Sequence, residues 1–199
     1  MAIVVEHDKR KHEILEKSLE LFTREGYDDV TFQKIADACG ITRTTLYIYF
    51  KNKKEIFVWS IKQLTMGLEE KLMEILDDKS LSHSECLHRC MFWIVDVCGE
   101  NRQLFSVLLG YLLNLQKSNA NIEARVHRRV IRLRHLLSMI IISGQKAGEF
   151  KKMPVKNVNS MFFSLVETAI FEIAVLNKKD ISEVKFSTDL LIQGILEKN

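Results

Sequence analysis

The sequence predicts an all-α protein of about nine helices. A small helix-turn-helix unit stands at the N-terminus, followed by a larger helical domain. Three observations carry this. Apolar residues recur at three- and four-residue spacing along most of the chain. One Pro and eight Gly in 199 residues leave little punctuation, which suits long helices joined by short loops. A hydrophobic content of 47% supplies an ample core, and 28% charged residues can cover it.

The first helix is expected from about Asp8 to Arg24, with Ile14, Leu15, Ser18, Leu19 and Phe22 on its buried side. Lys9, Arg10 and Lys11 lie largely outside that stripe and read as a solvated face, with contact to a nucleic-acid backbone as the alternative. Gly26 is its C-cap. Val30 and Ile35 have the spacing of a hydrophobic staple around the cap Thr31. A short helix follows with Phe32, Ile35, Ala36 and Cys39 on one stripe. It stops before Gly40, whose freedom to take a left-handed backbone permits a tight turn. Ile41 can then drop toward the core, and Thr42 is a good N-cap for a second short helix.

That second helix presents Thr42, Arg43, Thr44 and Thr45 at its start, which are short or cationic and able to donate hydrogen bonds. This is what a recognition helix offers to base edges. The net charge of the chain is only +3. Its distribution says more than its total: between Ile41 and Lys54 stand four cations (Arg43, Lys51, Lys53, Lys54) and no acid. Asn52 and Glu55 have capping-box spacing for a fourth helix running through Trp59, Ile61, Leu64 and Leu68 to about Leu76. Lys53 and Lys54 fall in its first turn, where the helix dipole disfavours cations. The placement makes sense if a phosphate binds there.

Thr31 to Thr42, reading Thr-Phe-Gln-Lys-Ile-Ala-Asp-Ala-Cys-Gly-Ile-Thr, resembles the positioning helix and turn of the tetracycline-repressor-like (TetR-type) family of bacterial transcription regulators. Thr45 to Glu55 follows that family's Thr-Leu-Tyr-x-His-Phe-x-x-Lys-x-Glu pattern. The sequence departs from it at Thr44, where Gly or Ala is frequent, and at Tyr49, where His is frequent. The resemblance implies a DNA-binding domain over residues 8–67, with its helix-turn-helix at 31–50. Residues 68–199 would then form a helical effector-binding and dimerisation domain. One short recognition helix contacts too few base pairs for specificity, so a homodimer on palindromic double-stranded operator DNA is expected. The expected function is a repressor released by a small apolar or amphipathic effector, with no catalysis and no cofactor. Thr31, Thr42, Tyr47, Tyr49 and Lys53 would hold phosphates, while Arg43, Thr44 and Thr45 would read bases.

The remainder breaks at polar stretches into helical patterns of about 81–99, 101–115, 119–147, 156–176 and 182–198. The helices from Val158 to Leu176 and from Ile181 to Leu196 are each apolar over more than one face, which makes them the candidate two-fold interface. Large apolar residues are mostly core. Phe92, Trp93, Phe105, Tyr111 and Phe163, with the polar Asn114, His135 and Glu167 among them, are the candidate lining of an apolar effector pocket. Between Ile122 and Arg134, five arginines against Glu123 leave a net of +4. The plainer reading is pairing with the acidic stretch Glu69 to Asp78 or a solvated face; a second nucleic-acid patch or a site for an acidic ligand such as an acyl-CoA is the alternative.

His83, Cys86, His88, Cys90 and Cys98 form a cluster whose plainer reading is buried thiols, since no second ligand pair completes a zinc pattern. No Gly-rich loop, nucleophile elbow or paired carboxylate suggests an enzyme. The apolar run from Leu104 to Leu113 is about half the length needed to cross a bilayer, and no signal-peptide pattern opens the chain, so a cytoplasmic location is expected. A helical DNA-binding factor controlled by a partner protein, with no small-molecule effector, is the alternative function.

Overall fold

The computed structural model describes the backbone over residues 2–117 and 123–197 and the side chains over 6–116 and 131–197. Among the described residues there are nine helices: α1 (Ala2–Glu25), α2 (Phe32–Ala38), α3 (Arg43–Tyr49), α4 (Lys53–Asp77), α5 (His83–Glu100), α6 (Arg102–Lys117), α7 (Glu123–Lys146), α8 (Val155–Ala174) and α9 (Ser182–Ile195). The chain divides into two compact units, Met1–Leu68 and Glu69–Asn199.

In the first unit, α1 begins six residues before the expected Asp8. Glu6, His7 and Asp8 do not break a helix, and the His7 ring stacks on Tyr49 with centroids 4.7 Å apart. The core joins Ile14, Leu15 and Phe22 of α1 to Ile35 of α2, Leu46 of α3 and Ile56 and Phe57 of α4, all at most 4% exposed. Phe22 and Phe57 meet edge to face at 4.9 Å. The Ser60 hydroxyl, buried in α4, donates to the Leu15 carbonyl of α1 at 2.9 Å. The basic run at the start of α1 is not simply solvated. Arg10 donates to the Cys39 carbonyl at the end of α2 at 3.5 Å, and the Lys11 ammonium lies over the rings of Trp59 and Phe50 at 4.7 and 5.5 Å. Long cationic stems cover apolar surface while their heads find partners, a preference that charge pattern alone does not reveal.

In the second unit, α5 packs against α7, α8 and α9, and α8 also meets α6 and α7. Leu87, Met91, Leu137, Phe150 and Phe162 are almost wholly buried there. Ser82 caps α5 in a complete capping box with Glu85. Asn159 of α8, 3% exposed, donates its amide to the Arg134 carbonyl and the Ser138 hydroxyl of α7, both at 2.6 Å. After α7, Gly148 turns the chain with φ +75°. Phe150 then folds back on Gly144, where an added Cβ would stand 2.2 Å from the ring.

The α7–α8 turn is also a junction for three segments. Glu149 Oε1 lies 2.6 Å from His83 Nδ1, and its Oε2 accepts from the Ser84 N–H at 3.1 Å, at the start of α5. The Glu149 carbonyl accepts from the Glu197 N–H at 2.8 Å, and Lys151 N–H donates to the Ile195 carbonyl at 2.8 Å, so the segment that follows α9 is pinned to the same turn. Partial burial alone would raise the Glu149 pKa, but the hydrogen bonds from His83 and Ser84 outweigh it and hold the carboxyl below its ordinary value. A carboxyl lowered on folding contributes stability that is present above the ordinary carboxylate range and is lost as pH falls through its own pKa. Glu149→Gln is therefore expected to lower the melting temperature at neutral pH. The gap from the unaltered protein should narrow as pH is taken down to about 3. Thermal denaturation of both proteins across that range checks it.

Candidate nucleic-acid interface

The turn between α2 and α3 is built by its backbone. Gly40 has φ +65°, and the Ile41 N–H donates to the Ala36 carbonyl at 3.0 Å, closing the end of α2 in the six-to-one hydrogen bond of a helix C-terminus. Both short helices are capped by threonine. Thr31 accepts from the Lys34 N–H at 3.2 Å, and Thr42 from the Thr45 N–H at 3.1 Å. Capping uses a hydroxyl's acceptor capacity and leaves its O–H able to donate to an anion. The Thr42 and Thr45 hydroxyls also meet at 2.8 Å, so these two side chains hold each other at the outer start of α3.

On α3, Leu46 is fully buried, whereas Thr42, Arg43, Thr44, Tyr47 and Ile48 are exposed and Thr45 is half-buried. The Tyr47 ring lies against Phe32 at 4.6 Å, and its hydroxyl accepts from Arg43 at 3.2 Å. The Arg43 guanidinium also sits 5.7 Å from the ring centroid, so it is held along the helix surface with most of its donors unused. Tyr49 is half-buried and steadied by His7. Seven of the eight residues expected at the interface, Thr31, Thr42, Arg43, Thr44, Thr45, Tyr47 and Tyr49, thus lie on α2, on α3 or at their caps.

Lys53 is placed differently. Its ammonium donates to the carbonyls of Tyr27 and Asp28 at 2.8 and 3.1 Å and lies 4.5 Å from the Tyr27 ring, tying the α1–α2 loop to the start of α4. Desolvation lowers its pKa, against the raising effect of Asp28 and Asp29. Two of its three N–H groups are used, and one remains for a phosphate. Asn52 Oδ1 accepts from the Glu55 N–H at 2.8 Å as the capping spacing implies. The return bond differs: Glu55 accepts from the Lys51 N–H at 2.6 Å rather than from that of Asn52. Lys51 and Lys54 are exposed.

The eight residues proposed around an effector fall into two groups in the second unit. Phe163 and Tyr111 are buried, and Trp93 and Phe105 are partly buried against the core that holds Phe163. Phe92 stacks on His88 at 3.9 Å and lies under the Lys185 ammonium at 5.5 Å. Asn114, His135 and Glu167 are exposed. A cleft of about 300 Å³ lies elsewhere, between α5 and the end of α9, lined by Ser84, Glu85, His88, Arg89, Ile192, Gln193 and Leu196.

Of the basic stretch, Arg132 pairs with Glu69 at 3.2 Å, and the Arg134 guanidinium covers the Phe163 ring at 4.2 Å. The side chains of Arg125, Arg128 and Arg129 lie outside the described residues. All four cysteines are free and buried. Burial raises the thiol pKa of Cys39 and pushes that of Cys98 up to about 12, so both behave as small hydrophobes. Among the described residues no group of three or more His, Cys, Asp or Glu could hold a metal, and no helix is long and apolar enough to cross a membrane.

A two-helix element of this kind, with a capped, outward-facing second helix and a basic following turn, defines a helix-turn-helix DNA-binding protein. Residues 14–58 match the family described as bacterial regulatory proteins, tetR family. The chain is similar to the fatty acid metabolism regulator protein of Bacillus subtilis (strain 168), 23% identical over 190 residues that cover 94% of this chain and 95% of that one. The crystal structure of the transcriptional regulator FadR from Bacillus subtilis in complex with stearoyl-CoA superposes with a TM-score of 0.75 at 25% identity, covering 92% of this chain and 98% of that one. A TetR transcription regulator from Haloarcula marismortui shares the fold, with a TM-score of 0.85 at 16% identity over 96% of this chain and 100% of that one. Residues 14–58 thus form a TetR-family helix-turn-helix domain, and the protein is a DNA-binding transcriptional regulator.

Lys53→Ala is expected to cost about 1 kcal/mol of stability, because two loop carbonyls lose their donor. It should also lower the salt slope of DNA binding by about one unit on specific and random duplexes alike. Chemical denaturation and salt titrations of binding check the two effects separately.

Proposed function

We propose that this protein is a homodimeric, ligand-responsive repressor, acting in the cytoplasm on a palindromic operator. The observation that carries the reading is the outer surface of α3. Arg43, Thr44, Tyr47 and Ile48 stand in solvent, three further cations (Lys51, Lys53 and Lys54) follow, and no acid lies between Ile41 and Lys54. Thr31, Thr42, Tyr47, Tyr49 and Lys53 are assigned to phosphates, and Arg43, Thr44 and Thr45 to base edges. Residues 8–67 are the DNA-binding domain and residues 68–199 the effector and dimerisation domain.

One α3 spans too few base pairs for specificity, so two copies are needed, with half-sites about 34 Å apart or a multiple of it. Exposed apolar faces on α8 and α9 support the pairing surface: Met161, Phe171 and Val175 are about half exposed on or just after α8, and Phe186 and Leu190 lie one turn apart on α9 at 65% and 58%. A four-helix contact between symmetry mates would cover them. Phe186→Glu, at an exposed site where folding is undisturbed, is expected to turn a dimer into a monomer in sedimentation at micromolar concentration. An unaltered dimer would move the interface elsewhere.

The effector is assigned to the apolar class carrying an acidic head, such as a long-chain acyl-CoA. Support comes from the aromatic and aliphatic core of the second unit and from the net charge of +4 between Ile122 and Arg134. The similar FadR of Bacillus subtilis was crystallised with stearoyl-CoA. α4 begins at Lys53 and continues to Asp77, so a ligand that moves its far end can alter the spacing of the two recognition helices. DNA and ligand then weaken each other reciprocally by about 1 to 3 kcal/mol. Operator affinity should fall roughly 5- to 150-fold with a saturating acyl-CoA. Arg43→Ala should cost roughly 1 to 3 kcal/mol and relax preference at one base pair without altering acyl-CoA binding. Operator affinity unchanged by any acyl-CoA that binds tightly would leave control to a partner protein.

A further inference from the structure

Ile48 is 69% exposed on α3, although its neighbour Leu46 is fully buried. Successive helical residues turn by about 100°, so positions two before and two after a buried residue both point away from the core. On α3 these are Thr44 and Ile48, one turn apart on the outermost line of the helix. Both expose methyl groups there. Arg43, the cation on this helix, is drawn along the surface by its hydrogen bond to the Tyr47 hydroxyl. The central line of the proposed DNA-facing surface is therefore apolar, flanked by polar groups. Base edges in the major groove carry one apolar group, the C5-methyl of thymine.

We infer that Ile48, with the Thr44 methyl beside it, is a specificity-determining residue that packs against a thymine C5-methyl in each half-site. This deepens the assignment of α3 as the recognition helix and rests on it. Isoleucine suits the task because its branched Cβ restricts χ1, so little rotamer freedom is lost on docking. Asparagine or glutamine at this position would instead seek the paired donor and acceptor of adenine. Ile48 has no role in the core of the free protein, so its replacement leaves the fold intact.

The test selects duplexes from a random-sequence library with the full-length protein and then replaces each thymine of the enriched site by uracil, which removes the C5-methyl alone. One thymine per half-site is expected at which uracil weakens binding by the unaltered protein about fourfold, the scale of one buried methyl group. The same replacement should have little effect on Ile48→Ala, while Ile48→Val retains most of it. Affinity for random duplex should be equal in all three proteins, since no phosphate contact is altered. Equal uracil penalties in the unaltered protein and Ile48→Ala at every thymine, or an enriched site with no thymine in the half-sites, would overturn the inference and leave the DNA-binding assignment standing. Failure of the unaltered protein to enrich any sequence would overturn both.

Discussion

Burial of Leu46 and Phe50 is the constraint on which the outward surface of α3 depends. α3 is seven residues long, too short to hold helical structure by its own hydrogen bonds in water. Its two apolar anchors, each at most 1% exposed, fix one side of the helix in the core and so determine which side faces out. The left-handed Gly40 and the bond from Ile41 to Ala36 set the angle at which α3 leaves α2, and the Thr42 cap sets where it starts. With the inner side fixed, the outward position of Thr44 and Ile48 follows from helical geometry alone.

Polar groups in the second unit act where helices end and segments meet. Glu149 joins the start of α5 to the segment after α9 by binding His83 and Ser84 through its carboxylate and Glu197 through its carbonyl. Asn159 does the same between α7 and α8 within the core. Such groups add less free energy than apolar burial. They do make a shifted packing costly, because a displaced helix would leave a buried donor or acceptor unpaired.

Cationic side chains around the helix-turn-helix show how tertiary contacts redistribute charge that looks uniform in the sequence. Arg10 completes the end of α2, Lys11 lies on aromatic faces, and Lys53 secures the loop after α1. Lys51, Lys54 and Arg43 stay exposed on the side that meets solvent. Cations committed within the unit and cations left exposed thus lie side by side along the chain. Only the positions of backbone carbonyls and ring faces separate them.

Periodicity, the scarcity of Pro and Gly, and threonine and serine at helix starts determined the nine helices, most of their ends within two residues, and the helix-turn-helix itself. These signals are local, since each depends on residues within one or two turns. The exposure of Ile48 belongs to the same local signal, since it stands two positions beyond the buried Leu46. Only the tertiary structure decided the partners of Arg10 and Lys53, the joining of Glu149 to His83 across 66 positions, and the folding of Phe150 onto Gly144. The residues proposed around an effector divide along the same line. Phe163 and Tyr111 are buried and Asn114, His135 and Glu167 exposed, a distinction that composition cannot make, because it is set by which helix faces pack together and not by the polarity of any one residue.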